Sequence, residues 1–409
     1  MQSSGPTTRV LLQRPIARAL QLALAAAYLT GVIFSWRSIR ADYLFREDSE
    51  TSIGSAISLV PDKSEYYMRL AQFNWKHSKD LLSTAVRLDP YNAQAYMELG
   101  LQYETEGDLV EAEKFLLKAY EVDHTYMPRW SLANYYFRHG NLTAFWTWAR
   151  SAAALPSDDT DSLFELCWLA SPDPQAISAA ISNDKPEFLR QYLTFLLSKD
   201  QAQAASVVAL SLVRNGVPDQ DRTLMLNVVD KLIASGDAGS ALSVWHSLSD
   251  RKWIAADNTI PNNAAFARTP LPVGFDWSLP EDSGLHSWTG PLGLKTEFSG
   301  LQPEDCTIAE QTVALAKGTY AFDFSYYTGG IHPDTGVRWE IADAKSAAVL
   351  AKSPDLSSDG TKQVVLPFSV GPDMPLLRLR LVYRRALGTP RISGTLVVRS
   401  TGIHSRQSL

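Results

Sequence analysis

A chain of 409 residues is longer than one hydrophobic core ordinarily organises, so two or three domains are expected. Hydrophobic residues make up 45% and charged residues 20%, a folded composition that excludes wholesale disorder. The net charge of −6, with no basic stripe interleaved with aromatics, argues against nucleic acid as a partner.

From Ala19 to Trp36 the chain reads ALQLALAAAYLTGVIFSW, eighteen residues without a charge. At about 1.5 Å per residue this is enough to cross the hydrocarbon core of a bilayer. Arg14 and Arg18 flank one end, Arg37 and Arg40 the other, and Trp36 lies where an interfacial aromatic belongs. No face of the segment is polar, which argues against a buried soluble helix. A cleaved signal peptide with Ala25-Ala26-Ala27 at its cleavage site is the rival reading. The apolar run continues to Trp36, which suits a retained anchor better. The expectation is a transmembrane helix at residues 17–37 behind a cytoplasmic tail at 1–16. Arg9, Arg14 and Arg18, with no acid among them, lean toward a cytoplasmic N-terminus. The protein is then single-pass in the inner (cytoplasmic) membrane, with its bulk periplasmic.

Internal repeats follow. AQAYMELGLQYETEGDLVEAEKFLLKAYEVD, Ala93 to Asp123, places Tyr96, Leu99-Gly100, Tyr103, Gly107-Asp108, Ala112, Leu116 and Ala119 at helical spacing around a turn. Gly100 and Ala112 are small where two antiparallel helices cross, and Gly107-Asp108 makes the turn. This pattern closely resembles a tetratricopeptide repeat. Helix ends recur at Ala56…Pro61, Ala85…Pro90, Ala119…His124 and Ala152…Pro156, near the 34-residue period. Trp130-Ser131-Leu132-Ala133 opens a third copy. PEFLRQYLTFLLSKDQAQAASVVALSLVRNG and DRTLMLNVVDKLIASGDAGSALSVWHSLSD read as further helical pairs. The helical array is expected over residues 50–252.

In such repeats the first helices line a concave surface that takes a protein partner. Groove positions are expected at Gln94, Met97, Leu101, Glu104 and Thr105, then Asn134, Phe137 and Arg138. The resemblance implies Lys, Asn and Arg at several of these positions in repeats that clamp C-terminal carboxylates. Met97 and Leu101 stand there instead, so an apolar or mixed protein surface is the expected partner. The alternative is that these side chains only contact a flanking domain.

Near Trp253 the helical pattern stops in IPNNAAFARTPLPVGFDW. Period-2 runs follow: Tyr320, Phe322, Phe324 and Tyr326; Val337, Trp339 and Ile341; Leu377, Leu379, Leu381 and Tyr383. LKTEFSG, EQTVALAKGTY, QVVLPFSV and GTLVVRS supply further strands. These predict an antiparallel β-sandwich at 255–402 and a tail at 403–409. EQTVALAKGTYAFDFSYY, with FDW before and LRLRLVY after, resembles the jelly-roll of carbohydrate-binding modules and galactose-binding-like domains. That resemblance implies exposed aromatics stacking on sugar, with Trp277, Trp288, Tyr327 and Trp339 as the candidates. Trp339 alternates with Val337 and Ile341, which favours the core for it. Trp288 lies in the loop-like SGLHSWTGPLG.

Nothing points to catalysis. The seven histidines are scattered and none has metal-ligand spacing. Glu304-Asp305 and Asp158-Asp159 read as turn and cap residues. Cys167 and Cys306 read as buried thiols. No catalytic residue, metal or cofactor is expected. The order of anchor, repeats and jelly-roll resembles bacterial proteins associated with surface polysaccharide polymerisation or export. The expected function is a membrane-anchored interaction scaffold, the alternative a glycan-binding protein, and third a polysaccharide-modifying enzyme.

Overall fold

The computed structural model describes residues 9–155, 160–181, 185–257 and 259–406. They fall into two compact units, Met1–Asp159 and Thr160–Leu409. The last six helices therefore belong with the β-domain, and the compact boundary does not coincide with the change of texture near Trp253.

The first unit opens on α1 (Arg9–Arg46), one helix of 38 residues, long and apolar enough to cross a membrane. Residues 18–37 of it are exposed. The helix does not stop at residue 37. It continues and packs Ala41, Leu44 and Phe45 against Ile53 and Ala56 of α2 (Glu50–Leu59). Arg37 Nε donates to the Leu59 carbonyl at 3.1 Å, and Lys63 pairs with Asp42 at 2.7 Å. The first hairpin therefore begins inside α1, upstream of residue 50.

Three more hairpins follow in this unit. They are α3 (Ser64–Phe73) with α4 (Ser78–Leu88), α5 (Ala93–Thr105) with α6 (Leu109–Val122), and α7 (Tyr126–Arg138) with α8 (Leu142–Ala153). Ala56, Ala85, Ala119 and Ala152 are all fully buried, one per hairpin, as the recurring helix ends require. A Cβ on Gly100 would lie 2.9 Å from Leu116 Cγ and 3.1 Å from the Ala112 carbonyl, so α5 and α6 cross too closely there for any side chain. Gly107 takes φ +85° at the turn, and Asp108 then caps α6 by accepting from the Glu111 N–H at 3.2 Å. Pro156, Asp158 and Asp159 lie outside the described residues.

The second unit begins with α9 (Asp161–Ala170), α10 (Pro174–Ile181), α11 (Pro186–Ser198), α12 (Ala202–Asn215), α13 (Pro218–Ser235) and α14 (Ala238–Asp250). The pairs α11–α12 and α13–α14 are those read from the sequence. The end of the array meets the segment leading into the sandwich. Trp245 of α14 packs edge-on against Phe275 with ring centres 5.9 Å apart, and Asp230 of α13 accepts from the Gly274 N–H at 2.8 Å.

Among the described residues nine strands follow: β1 (Leu285–Gly290), β2 (Gly293–Ser299), β3 (Asp305–Ala314), β4 (Gly318–Gly329), β5 (Val337–Asp343), β6 (Val349–Lys352), β7 (Lys362–Val370), β8 (Leu376–Arg384) and β9 (Ser393–Ser405). All pairings are antiparallel, in two sheets ordered β1-β2-β9-β4-β7 and β3-β8-β5-β6. The order 2-9-4-7 over 3-8-5-6 is jelly-roll connectivity, with β1 added at one edge. The three period-2 runs meet in one core: Phe322, Phe324 and Tyr326 from one sheet pack with Trp339, Leu379, Leu381 and Tyr383 from the other. β9 runs to Ser405, so residues 403–405 are strand rather than tail; residues 407–409 lie outside the described residues.

Candidate protein-docking groove and the aromatic row of the sandwich

Helix α5 turns Ala95, Leu99 and Gly100 inward. Its opposite face, with that of α7, lines a cavity of about 650 Å³. Gln94, Met97, Leu101, Glu104, Asn134 and Arg138 all line it, six of the eight positions expected from the repeat pattern. Thr105 lies instead in an adjoining hollow of about 390 Å³, shared with Leu101, Gln72 and Trp75. Phe137 does not line this cavity: it is half-buried, and its ring packs 5.5 Å from that of Phe145 of α8. Position 137 lies at the edge of the stripe that holds Asn134 and Arg138, and its large ring reaches across to the partner helix.

The floor is apolar, built from Met97, Leu101, Met127 and Trp130, with Leu101 51% and Met127 50% exposed. Trp130 belongs to the repeat signature, but Met127 and Glu98 carried no signal beyond their place on the helix face. Ser131 Oγ lies 3.3 Å from Met97 Sδ, one repeat period away. One end is closed by an ion pair of the same period. Glu104, its side chain 9% exposed, accepts from Arg138 Nε at 2.8 Å and Nη2 at 2.6 Å, and pairs with His139 Nε2 at 2.8 Å. Burial alone would raise the Glu104 carboxyl, but the Arg138 and His139 bonds outweigh it and hold it below its ordinary value. Glu98 goes the other way. Burial raises it, against hydrogen bonds from Gln94 (at 3.0 Å) and Gln72. The groove thus joins an apolar strip to amide groups and carboxylates.

The four sandwich aromatics divide. Trp277 and Trp339 are fully buried, with ring centres 5.8 Å apart and Phe266 4.8 Å from Trp277. Neither reaches a ligand at the surface. Period-2 alternation sends Trp339 inward with Val337 and Ile341, and Trp277 fills the core beside it. Trp288 and Tyr327 point outward. Trp288 lies on β1, not on a loop, in register with Lys295 of β2; Lys295 pairs with Val397 of β9, and Val397 with Tyr327 of β4. The two rings therefore share one row across the sheet. Each is covered by a cation: Lys295 Nζ 4.8 Å from the Trp288 ring centre, Arg399 5.3 Å from that of Tyr327.

Glu304 pairs with Arg385 at 2.6 Å, which lowers its carboxyl, and Asp305 with Arg384 at 3.5 Å. Cys167 and Cys306 are buried and unbridged, and burial pushes the Cys306 thiol up to about 11. Among the described residues, no three His, Cys, Asp or Glu side chains gather where a metal ion could sit.

No family model matches the sequence, and no curated protein sequence matches it. Solved structures do align with its parts. One, described as a functional characterisation of Pseudomonas aeruginosa pilF, shares 17% identity over 46% of this chain and 90% of its own, with a TM-score of 0.26. YrrB, described as a tetratricopeptide-repeat protein with an unusual peptide-binding site, shares 15% identity over 50% of this chain and 94% of its own, with a TM-score of 0.22. A structure described as CBM4 structure and function shares 11% over 36% of this chain and 99% of its own, with a TM-score of 0.28. On its own topology the chain is a multidomain protein: an apolar N-terminal helix, tetratricopeptide-like helical hairpins, and an all-β jelly-roll sandwich.

Proposed function

We propose that this protein is a non-enzymatic scaffold, anchored in a membrane by α1, that holds a protein partner in the α5–α7 groove. The observation that carries this reading is the groove itself. An apolar strip from Met97 to Trp130 lies between the amides of Gln94 and Asn134 and the closed Glu104–Arg138 pair. Such a strip takes apolar side chains of a partner, and the amides bond its backbone. The anchor, the periplasmic placement of the bulk, and a role in assembling or exporting a surface polysaccharide complete the proposal. They rest on the charge-free run 19–36, its arginine flanks and the order of domains. A photo-crosslinking residue at Leu101 of the full chain, expressed in cells, tests the groove. A discrete adduct in the membrane fraction, absent from a probe at exposed Lys114 and lost on Met97→Asp, is expected. Equal labelling from both positions overturns the reading.

The Trp288–Tyr327 row supports a second reading, in which the sandwich holds a glycan against those rings. Retention of the full chain on immobilised polysaccharide, lost in Trp288→Ala, is its expected result; retention unchanged by that variant removes it.

A further inference from the structure

In the second unit, a cavity of about 300 Å³ opens between α14, residues 257 and 259–262, and the outer edge of β3. Two of its lining residues each hold a buried polar atom with no partner: Asn262 Nδ2 and Gln311 Oε1. Asn262 is 6% exposed and Gln311 1%. Their orientations are fixed by the bonds they already make. Asn262 Oδ1 accepts from the Asp257 N–H at 2.7 Å and from Arg268 Nη2 at 2.8 Å, so its nitrogen is the free end. Gln311 Nε2 donates to the Asn262 carbonyl at 2.9 Å, so its oxygen is the free end. One donor and one acceptor thus lie unmade behind the wall, closed off from solvent.

The strand beside them has an open edge. β3 is the first strand of its sheet. The N–H and C=O of Glu310 bond outward, to Ser278, at 2.9 and 2.8 Å. From Glu310 to Ala314 the register with β8 runs without a shift. Backbone groups alternate in direction along an antiparallel strand, so those of Thr312 and Ala314 also turn away from β8. Both residues line the cavity. The chain that pairs at Ser278 has already left the edge: just before it, Asp276 turns its carboxylate to Arg268, at 2.8 Å, and to the Leu271 N–H. The outer ladder stops after one rung.

We propose that this cavity binds the main chain of a short extended peptide, which adds as a strand to the β3 edge at Thr312 and Ala314. The outward N–H and C=O groups of Thr312 and Ala314 bond the peptide main chain. The site presents an alternating row of donors and acceptors, which is the pattern of a peptide backbone rather than of any one side chain. Thr312 and Ala314 stand about 7 Å apart along the strand, so the ligand spans roughly three or four residues. Leu242 and Ile260 in the lining favour an apolar side chain on the peptide.

The probe is a library of random N-acetyl hexapeptide amides, screened on the detergent-solubilised full chain, with enriched peptides measured by fluorescence anisotropy. Thr312→Pro removes one outward N–H and no bond to β8, and Thr312→Val keeps the backbone intact. About tenfold weaker binding is expected in Thr312→Pro, with none of that loss in Thr312→Val. Backbone N-methylation of the peptide at one register position is expected to weaken binding as much, with the protein unchanged. Leu101→Asp, in the α5–α7 groove, is expected to leave this binding intact, which separates the site from the scaffold reading. No enriched peptide overturns the proposal, as does binding indifferent to both Thr312→Pro and N-methylation, or binding lost in Leu101→Asp.

Discussion

The pair that closes the groove gives the sharpest test of how the hairpins are held in register. Glu104→Gln removes the charge that Arg138 and His139 share and leaves the side-chain volume unchanged. Glu104 is sheltered, at 9% exposure, whereas Arg138 is 40% exposed. A charge-assisted bond between sheltered groups contributes about 1.5–3 kcal/mol, and an exposed pair about 0.2–1 kcal/mol. The mixed exposure here places the loss at about 1–2 kcal/mol. In a unit of this size that lowers the thermal midpoint by about 3–6 °C. Because the folded carboxyl is held below its ordinary value of 4.5, the stabilisation is fully present above that pH. It is lost as pH falls through the lower folded value. The assay is thermal unfolding followed by helical circular dichroism at pH 7 and pH 3.5, with Arg138→Met completing a double-mutant cycle. A coupling near 1 kcal/mol at pH 7, shrinking at pH 3.5, is expected. A coupling below about 0.3 kcal/mol at pH 7, or one that does not change with pH, refutes the reasoning.

Glu98→Gln is expected to act oppositely. Burial raises this carboxyl, so its charged form is disfavoured in the folded state above that raised value. The variant should melt about 1–2 °C higher at pH 7 and lose the gain in acid, as read by the same scan. Asp221 is fully buried at the start of α13, paired with Arg190 at 2.5 Å and accepting from the Val217 N–H at 2.7 Å. Asp221→Ala strands both donors and should cost about 3–5 kcal/mol in urea unfolding. Deleting residues 1–36 keeps Arg37, Ala41 and Asp42, which hold α1 on the first hairpin. The shortened chain is therefore expected to leave the membrane pellet for the soluble fraction with its helical signal intact; a chain that stays in the pellet refutes α1 as the anchor.

What was legible in the sequence follows from how local each signal is. The α5–α6 hairpin was legible because crossing, turn and cap each demand a residue type at a fixed offset: Gly100, Gly107, Asp108. The groove positions followed, since a helix period that places Leu99 inside also places Met97 and Leu101 outside. Phe137 broke that rule because a large ring at the edge of the stripe reached its own hairpin partner. Core and surface aromatics of the sandwich were harder to separate. Alternation marked Trp339 as inward, but Trp277 lies in no strand and its burial depends on Phe266 and Trp339 closing around it. Trp288 was hidden in the opposite sense. SGLHSWTGPLG is rich in turn residues, yet its first half pairs with β2 and becomes an edge strand. The open edge at Thr312 was out of reach altogether. It depends on where residues 276–278 leave β3, a long-range event that no local pattern encodes.

The continuity of α1 bears on how the proposed membrane-anchored scaffold would work. A flexible linker after the apolar run would let the array sample many directions. Here the backbone bonds of one helix run unbroken from the apolar segment to Arg46, and bending it means breaking them. Arg37 on the Leu59 carbonyl, Asp42 with Lys63 and Tyr66, and Ala41 against α2 fix the rotation of the first hairpin about that helix. With α1 in a bilayer, its tilt sets the direction of the first unit, and with it the side from which the α5–α7 groove is approached. The groove then offers a partner a defined face at a defined height above the membrane. Its docking therefore loses less orientational freedom than binding to a tethered, freely turning array would.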